Sequence, residues 1–135
     1  MVCQLVYYRE RQLGIHIAIA SIPSTCPSMT LLEQYDVCIE LQRAGNVAES
    51  IKLLKQITVD FPDFSLAYNA LAAFYKKAND MEAAIENMEK YCVLEPNDPF
   101  GFSVLSVYCI GAGQRERAEE ALGRASELRF KAQFG

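Results

Sequence analysis

The sequence has few of the groups that catalytic sites and metal centres require. Its one histidine, His16, has no acid or nucleophile at a supporting distance in sequence, so a catalytic role for it is not favoured. The cysteines show neither the CxxC spacing nor the Cys/His spacing of a zinc site; they are Cys3, Cys26, Cys38, Cys92 and Cys109. We therefore predict that the chain is not an enzyme and holds no metal or cofactor.

Basic residues and long apolar runs are also scarce. Lys and Arg total 13 against 17 Asp and Glu, which gives a formal net charge of −4 at pH 7. A nucleic-acid-binding protein needs clustered Lys and Arg to neutralise phosphates, so we expect no nucleic-acid partner. The longest apolar run, residues 13–23, contains His16 and is shorter than the roughly 18 to 20 residues that cross a bilayer. We expect no membrane span.

The cysteines indicate a cellular compartment. Cys38, Cys92 and Cys109 fall on apolar stripes of helical spacing, which predicts buried thiols. The total of five cysteines is odd, and a helical array does not need disulfides for its stability. Both points favour a reducing compartment, and we expect the protein to be cytoplasmic.

One stretch of the sequence occurs twice in similar form. DFPDFSLAYNALA, which starts at Asp60, and EPNDPFGFSVLS, which starts at Glu95, share a proline, an acid, an aromatic and then small and apolar residues. The interval between their prolines, Pro62 and Pro96, also separates three turn residues, each preceded by alanine: Gly45, Asn79 and Gly113. A fixed period of about 34 residues indicates a repeat protein.

At this period three units fill residues 30–135, after a non-repeat N-terminal extension at 1–29; the units are 31–64, 65–98 and 99–132. Apolar residues recur in each unit at helical rather than alternating spacing. The middle unit shows two such stripes, one from Ala67 to Tyr75 and one from Ala83 to Cys92. We therefore predict an all-α fold of about six helices, arranged as three helical hairpins.

The ends of the predicted helices have their own signals. Glycine adopts the left-handed conformation of a helix end without steric cost, and asparagine tolerates it better than most residues, which suits the three turn residues. Three N-caps are predicted: Asn46 with Glu49 as its capping partner, Asp80, and Asp98 before the first-turn residue Pro99.

These features resemble the tetratricopeptide repeat family, whose repeating unit has this period and carries large and small residues at fixed offsets. The resemblance covers residues 30–135. In the middle unit it rests on Tyr68, Leu71, Ala72, Tyr75, Ala84 and Pro96. In the outer units it rests on Val37, Cys38, Leu41, Leu54 and Pro62, and on Phe102, Leu105, Ser106, Ala118, Leu122 and Ala125. Four positions depart from the family pattern: Ser50, Ile57, Tyr91 and Phe130.

The resemblance implies a right-handed α–α superhelix whose concave groove, lined by the first helix of each hairpin, binds another protein. Carried over residue by residue, the groove positions of the first unit are Leu32, Tyr35, Ile39, Gln42 and Arg43. Those of the second are Leu66, Asn69, Ala73, Lys76 and Lys77, and those of the third are Phe100, Ser103, Val107, Ile110 and Gly111. Most are apolar, so we expect an adaptor or scaffold that binds an extended or helical segment of a partner.

Charged residues on this face allow two interpretations. The family's clamp for the C-terminal carboxylate of heat-shock chaperones is not favoured, because it needs polar side chains at Tyr35, Ile39, Ala70 and Val104. Asn69, Lys76 and Lys77 either neutralise an acidic patch on an otherwise apolar peptide, or the two lysines are a solvated helix end that the helix macrodipole stabilises.

The C-terminal end suggests an alternative function. Only LRFKAQFG follows Glu127, which is too short for a separate capping helix. We expect either an adhesive end or a last helix that continues past Arg129. An adhesive end would make the protein a homo-oligomer or a subunit that assembles into a larger complex. A further alternative is a regulatory subunit whose thiols, Cys38 or Cys109, sense oxidation.

Residues 1–29 allow three interpretations. Arg9 and Arg11, followed by a short apolar stretch that ends in Ala18-Ile19-Ala20, loosely resemble a secretory signal, and the protein would then be secreted. The segment could instead fold onto the apolar groove or an open end of the array. In the third interpretation it is a non-native or dispensable extension, and Met29 is the natural start.

Overall fold

Six α-helices run through residues 30–135, the part of the chain that the computed structural model describes. They are α1 (Leu31–Arg43), α2 (Val47–Asp60), α3 (Ser65–Lys77), α4 (Met81–Leu94), α5 (Pro99–Gly111) and α6 (Arg115–Phe134). The first helices of the three pairs begin one predicted period apart, and so do the second helices. The period and the all-α, helical-hairpin fold class are therefore confirmed.

The described helices belong to two units. The N-terminal unit, which ends at Pro62, contains α1 and α2, and the C-terminal unit, residues 63–135, contains α3 to α6. The core of the N-terminal unit includes Val37, Cys38, Leu41, Leu53, Leu54 and Ile57. One cluster in the C-terminal unit joins all four helices, through Ala72, Ala84, Ile85, Met88, Tyr91, Cys92, Leu105, Tyr108, Cys109, Ala118 and Ala121.

The first helix of each hairpin ends at a left-handed residue. The φ angles are 87°, 63° and 74° at Gly45, Asn79 and Gly113. In the first hairpin the next residue, Asn46, donates its N–H to the carbonyl of Leu41 at 2.9 Å, and this bond closes the helix end. The predicted role of the three turn residues is confirmed.

Two of the three predicted N-caps are confirmed. The Asp80 side chain accepts a hydrogen bond from the N–H of Ala83 at 3.2 Å. The Asp98 side chain accepts one from the N–H of Phe100 at 3.0 Å, and Pro99 occupies the first turn of α5. Both carboxylates satisfy a backbone donor that has no partner inside the helix.

The third predicted cap is correct in position, but the capping pair of Asn46 with Glu49 is not formed. Asn46 is the N-cap residue of α2, but its side chain makes no capping hydrogen bond. Its Nδ2 atom is buried without a hydrogen-bond partner. A capping box at the start of α1 was not predicted. Thr30 Oγ1 accepts from the N–H of Glu33 at 3.3 Å, and Glu33 Oε2 accepts from the N–H of Thr30 at 2.8 Å. A threonine followed by glutamate three residues later was the available signal.

The last helix is longer than the repeat requires. α6 has 20 residues and continues to Phe134, which confirms the expected continuation past Arg129. Leu128 is its last buried residue. Within the described chain, no helix combines the length and the apolar character needed to cross a membrane. The predictions for residues 1–29, which include His16, Cys3 and Cys26, lie outside the described residues.

Candidate protein-binding groove

The predicted groove residues of the N-terminal unit lie along α1. Leu32 is 61% exposed, whereas Tyr35 and Ile39 are half-buried. Arg43 is exposed and forms an ion pair with Glu40, in which Nη1 lies 2.8 Å from Oε1. Among these predicted residues of α1, Leu32 is therefore the most exposed large apolar side chain.

The predicted groove residues of the C-terminal unit lie on α3 and α5, whose last turns are neighbours. Lys76 Nζ is 5.4 Å from the centroid of the Tyr108 ring. The large apolar residues of the set are exposed to 42%, 51%, 54% and 65% in the order Leu66, Phe100, Val107 and Ile110. Three smaller members are half-buried: Asn69, Ala73 and Ser103. Two adjacent helices thus carry four exposed large apolar side chains.

The hydroxyl group of Ser103, another predicted groove residue, is hydrogen-bonded within the protein. Its Oγ donates a hydrogen bond to the carbonyl of Pro99 at 2.8 Å and accepts one from Arg129 Nη2 at 2.5 Å. The hydroxyl therefore has a donor and an acceptor partner without any ligand. Its role in partner binding stays a prediction.

The charge on α3 and α5 has one sign. Neither helix contains Asp or Glu, and their charged residues are Lys76 and Lys77. The second helices of the same unit differ, because α4 and α6 both carry several glutamates. The exposed apolar side chains of α3 and α5 are therefore bordered on their own helices by positive charge alone.

The fold of this chain matches known protein structures, whereas its sequence matches no known family. No protein-family model matches the sequence, and no curated protein matches it significantly. A crystal structure of MamA has a TM-score of 0.72 and 19% identity, and the match covers 77% of this chain and 61% of MamA. The chain therefore spans less than two thirds of MamA.

Two further structures are similar. The Yersinia enterocolitica type III secretion chaperone SycD, in complex with a peptide of the translocator YopD, has a TM-score of 0.67 and 19% identity, with 73% of this chain and 75% of that chain covered. A mutant O-GlcNAc transferase of Thermobaculum terrenum has a TM-score of 0.63 and 24% identity, with 73% of this chain and 19% of that chain covered.

These matches and the helix pattern together decide the fold. The similar structures are of tetratricopeptide-repeat type, and the helix pairs of the described chain recur at the period that this repeat requires. The chain has the tetratricopeptide-repeat fold. Because the identities lie below 25%, the matches establish the fold of this chain and nothing more. Among the matched proteins, the fold occurs in a chaperone and in part of an enzyme.

Tyr91, which departs from the tetratricopeptide pattern by its size, has a compensating partner. A Cβ atom on Gly101 would lie 2.7 Å from Cδ1 and Cε1 of the Tyr91 ring, so the ring fills the space that glycine leaves. Tyr91 Oη donates to Asp98 Oδ2 at 2.6 Å, and burial together with this hydrogen bond raises the pKa of Tyr91. The start of α5, which carries Phe100, is thereby fixed against α4.

Ser50, which stands where the tetratricopeptide pattern has alanine, is also accommodated. The side chain is fully buried, and its Oγ donates to the carbonyl of Cys38 at 2.6 Å. A buried hydroxyl is costly only when it lacks a partner. The bond therefore allows serine at a close contact between α1 and α2.

The thiols of this tetratricopeptide-repeat chain are poorly suited to redox sensing. Cys38, Cys92 and Cys109 are free and buried, as predicted. Burial raises the pKa of Cys38 to about 12 and that of Cys92 to about 11. It also raises the pKa of Cys109, against a lowering effect of Arg117. Because the thiolate is the reactive form, these three residues give the thiol-sensing alternative no support.

One cavity at the end of the C-terminal unit was missed by the sequence analysis. It has a volume of about 410 Å³ and is lined by Ile110, Gly113, Arg115, Ala118, Glu119 and Leu122. We call these six residues the C-terminal edge. Arg115 Nε and Glu119 Oε1, one turn apart on α6, form an ion pair of 3.0 Å. The edge combines exposed apolar side chains with a charge pair.

A second cavity that was not predicted has a volume of about 500 Å³ and is lined mainly by α5 and α6, with Glu89 from α4. Leu105 and Cys109 of α5 contribute to its lining. Its charged residues pair with one another, since Arg117 bonds to Glu89, and α6 adds further pairs along the same helix. The second cavity joins Glu89 to residues of α6 that are far away in sequence, which periodicity does not reveal.

Described residues 30–135 contain no group of three or more His, Cys, Asp or Glu side chains placed to share a metal ion. The groups that the structure brings together at α3 and α5 are apolar side chains, one amide and two ammonium groups. Such a surface can bind a polypeptide through apolar contacts and a few polar ones.

Proposed function

We propose that the chain is a non-catalytic protein-interaction adaptor, which holds an extended or helical segment of a partner on the first helices of its hairpins. The observation that carries the proposal is the exposure of Leu66, Phe100, Val107 and Ile110 on the adjacent helices α3 and α5. Clustered exposed apolar side chains mark interaction sites. SycD, which is similar in fold, has been solved with a peptide of YopD.

The surface chemistry favours an apolar segment. Fully burying a large apolar side chain contributes roughly 1.5–3 kcal/mol, so four partly exposed ones supply a useful share of a binding free energy. Asn69 and the lysines of α3 provide the few polar groups that fix the orientation of a bound peptide. In the N-terminal unit, taken by itself, Leu32 is exposed on the first helix.

Replacing Val107 with aspartate is expected to reduce capture of the partner at least about tenfold, because an unpaired carboxylate would be buried in an apolar interface. Val107 is 54% exposed in the free protein, so the substitution leaves the core intact. The measurement is affinity capture from extract of the protein's own cells, with the full chain as bait and quantitative mass spectrometry as readout. Circular dichroism checks that the variant is folded.

Val93→Asp is the matched control, since Val93 is 78% exposed on α4 and lies outside the proposed surface. A protein that is retained by the wild type and by Val93→Asp, but lost by Val107→Asp, supports the proposal and identifies the partner. Equal retention by both variants contradicts it and moves the activity to another surface.

A second candidate function is assembly through the C-terminal edge. Ile110 and Leu122 are 65% and 49% exposed there. One repeat earlier, the position of Leu122 is occupied by Met88, which is fully buried inside the C-terminal unit. In repeat arrays each hairpin covers the apolar edge of its neighbour. The edge is therefore a surface on which a second copy of the chain can stack.

If the edge mediates self-assembly, the mass in solution is expected to rise above the 15.1 kDa of one chain as the protein concentration increases. Leu122→Glu is expected to abolish the rise, because it places a charge in the apolar contact, whereas Val93→Asp is expected to leave it unchanged. Light scattering across a concentration series measures the mass. A mass of one chain at every concentration rules out homo-assembly.

A further inference from the structure

The exposed apolar surface of α3 and α5 carries a local positive charge. Lys76 and Lys77 are the last two residues of α3, and both are exposed. Since neither helix contains Asp or Glu, no acidic group on the same helices balances them. The whole chain has a net charge of −4, so this end of the surface differs in sign from the protein as a whole.

The two lysines make different contacts. Lys76 Nζ lies over the ring of Tyr108 at 5.4 Å, a cation–π contact that joins α3 to α5. The side chain of Lys77 makes no hydrogen bond, ion pair or ring contact within the described chain. The ammonium group of Lys77 is therefore the one of the two that is free to meet a ligand.

The helix macrodipole favours lysine in the last turn of any helix, but it does not explain this pattern. Within the described chain, α2, α4 and α5 have no basic residue in the last turn. α1 and α6 have Arg43 and Lys131 there, but each of these forms an ion pair with a glutamate of its own helix. The lysines at the end of α3 therefore differ from these other basic residues, because α3 supplies no acidic partner for them. The two lysines lie on the same helix as Leu66, one of the exposed apolar side chains.

We propose that the segment bound on α3 and α5 carries an aspartate or glutamate beside its apolar side chains, and that Lys77 pairs with this carboxylate. The inference rests on the proposed function, because it specifies the partner of the same surface. Lys76 acts as a positioning residue through Tyr108. The partner is accordingly an apolar and acidic polypeptide segment, complementary in charge to the end of α3.

The test is a selection of random displayed peptides on the full-length protein, followed by affinity measurements with the selected peptides. Binders are expected to combine apolar residues with Asp or Glu. Lys77→Gln is expected to weaken them about two- to fivefold, since one exposed ion pair is lost. That difference is expected to shrink as the salt concentration rises.

Lys76→Gln is the matched control, because it removes the same charge from the neighbouring position. It is expected to weaken the selected peptides less than Lys77→Gln does. Peptides that lack acidic residues and bind Lys77→Gln as tightly as the wild type would overturn the inference and leave the proposed function standing. Equal losses in the two variants would overturn the division of roles between the lysines. A failure to select any peptide that is lost on Val107→Asp would contradict the proposed function itself.

Discussion

Replacing Gly101 with alanine is expected to lower the free energy of unfolding by about 2 kcal/mol, although alanine is the better helix former. The alanine Cβ would lie 2.7 Å from two ring carbons of Tyr91, closer than carbon atoms pack. The ring cannot easily yield, because Tyr91 is 7% exposed and its hydroxyl is bonded to Asp98. Overpacking therefore outweighs the gain in helix propensity of about 1 kcal/mol.

Gly123→Ala is the matched control for this substitution. Gly123 lies inside α6, and a Cβ atom there would have nothing within 4 Å. Only the helix propensity changes, so the free energy of unfolding is expected to rise by about 1 kcal/mol. Urea unfolding followed by circular dichroism measures both variants against the wild type. The same chemical change is thus expected to have opposite signs in α5 and α6.

A double-mutant cycle separates the ring contact from other effects. In a Tyr91→Ala background the ring is gone, so Gly101→Ala is expected to become stabilising, as at Gly123. A stabilising effect of Gly101→Ala in the wild type, or a cost that persists without the ring, would show that the contact with Tyr91 does not decide the outcome.

The helical hairpins could be predicted from the sequence because their signals are local. The apolar stripes, the alanine and turn-residue pairs, and the acids before α4 and α5 all act within a few residues of the element that they define. The first helices begin at residues 31, 65 and 99, which are the predicted starts of the three units. Because the repeat supplies the same signal three times, one weak signal does not change the outcome.

The features that the sequence did not predict depend on how side chains pack in the folded chain. Asn46 is the N-cap residue of α2, as its sequence position predicts, but its side chain makes no capping hydrogen bond and its Nδ2 is buried. Tyr91 looks like a departure from a small-residue position, and the residue that accommodates it, Gly101, belongs to the next hairpin. Neither outcome follows from periodicity, because each depends on how two helices approach one another.

The candidate surface was predictable in part. The repeat offsets selected four large apolar residues of the C-terminal unit that are indeed exposed, because the position in the repeat governs which side of a helix is left uncovered. The offsets do not reveal how polar groups are used. Ser103 is bonded to Arg129 of α6 and Lys76 lies over Tyr108 of α5, so both roles required the packed structure.

Met88→Ala is expected to lower the free energy of unfolding by about 3 kcal/mol, because truncating a fully buried side chain leaves a cavity. Met88 is 0% exposed and shares a cluster with Leu105 and Tyr108 of α5. Leu122 occupies the equivalent position of the next repeat and is 49% exposed. Leu122→Ala is therefore expected to cost less than about 1 kcal/mol.

The two positions differ in exposure because the next hairpin covers Met88, whereas Leu122 lies in the last hairpin of the described chain and has none after it. Urea unfolding of both variants at a low and a high protein concentration measures the two costs. If Leu122→Ala costs as much as Met88→Ala, and the cost grows with concentration, a second copy covers the C-terminal edge and assembly becomes the better-supported function. A small, concentration-independent cost for Leu122→Ala would show that the edge is uncovered, and partner binding on α3 and α5 would remain the better-supported proposal. A small loss of unfolding free energy for Met88→Ala would contradict the burial of Met88 in the core cluster of the C-terminal unit.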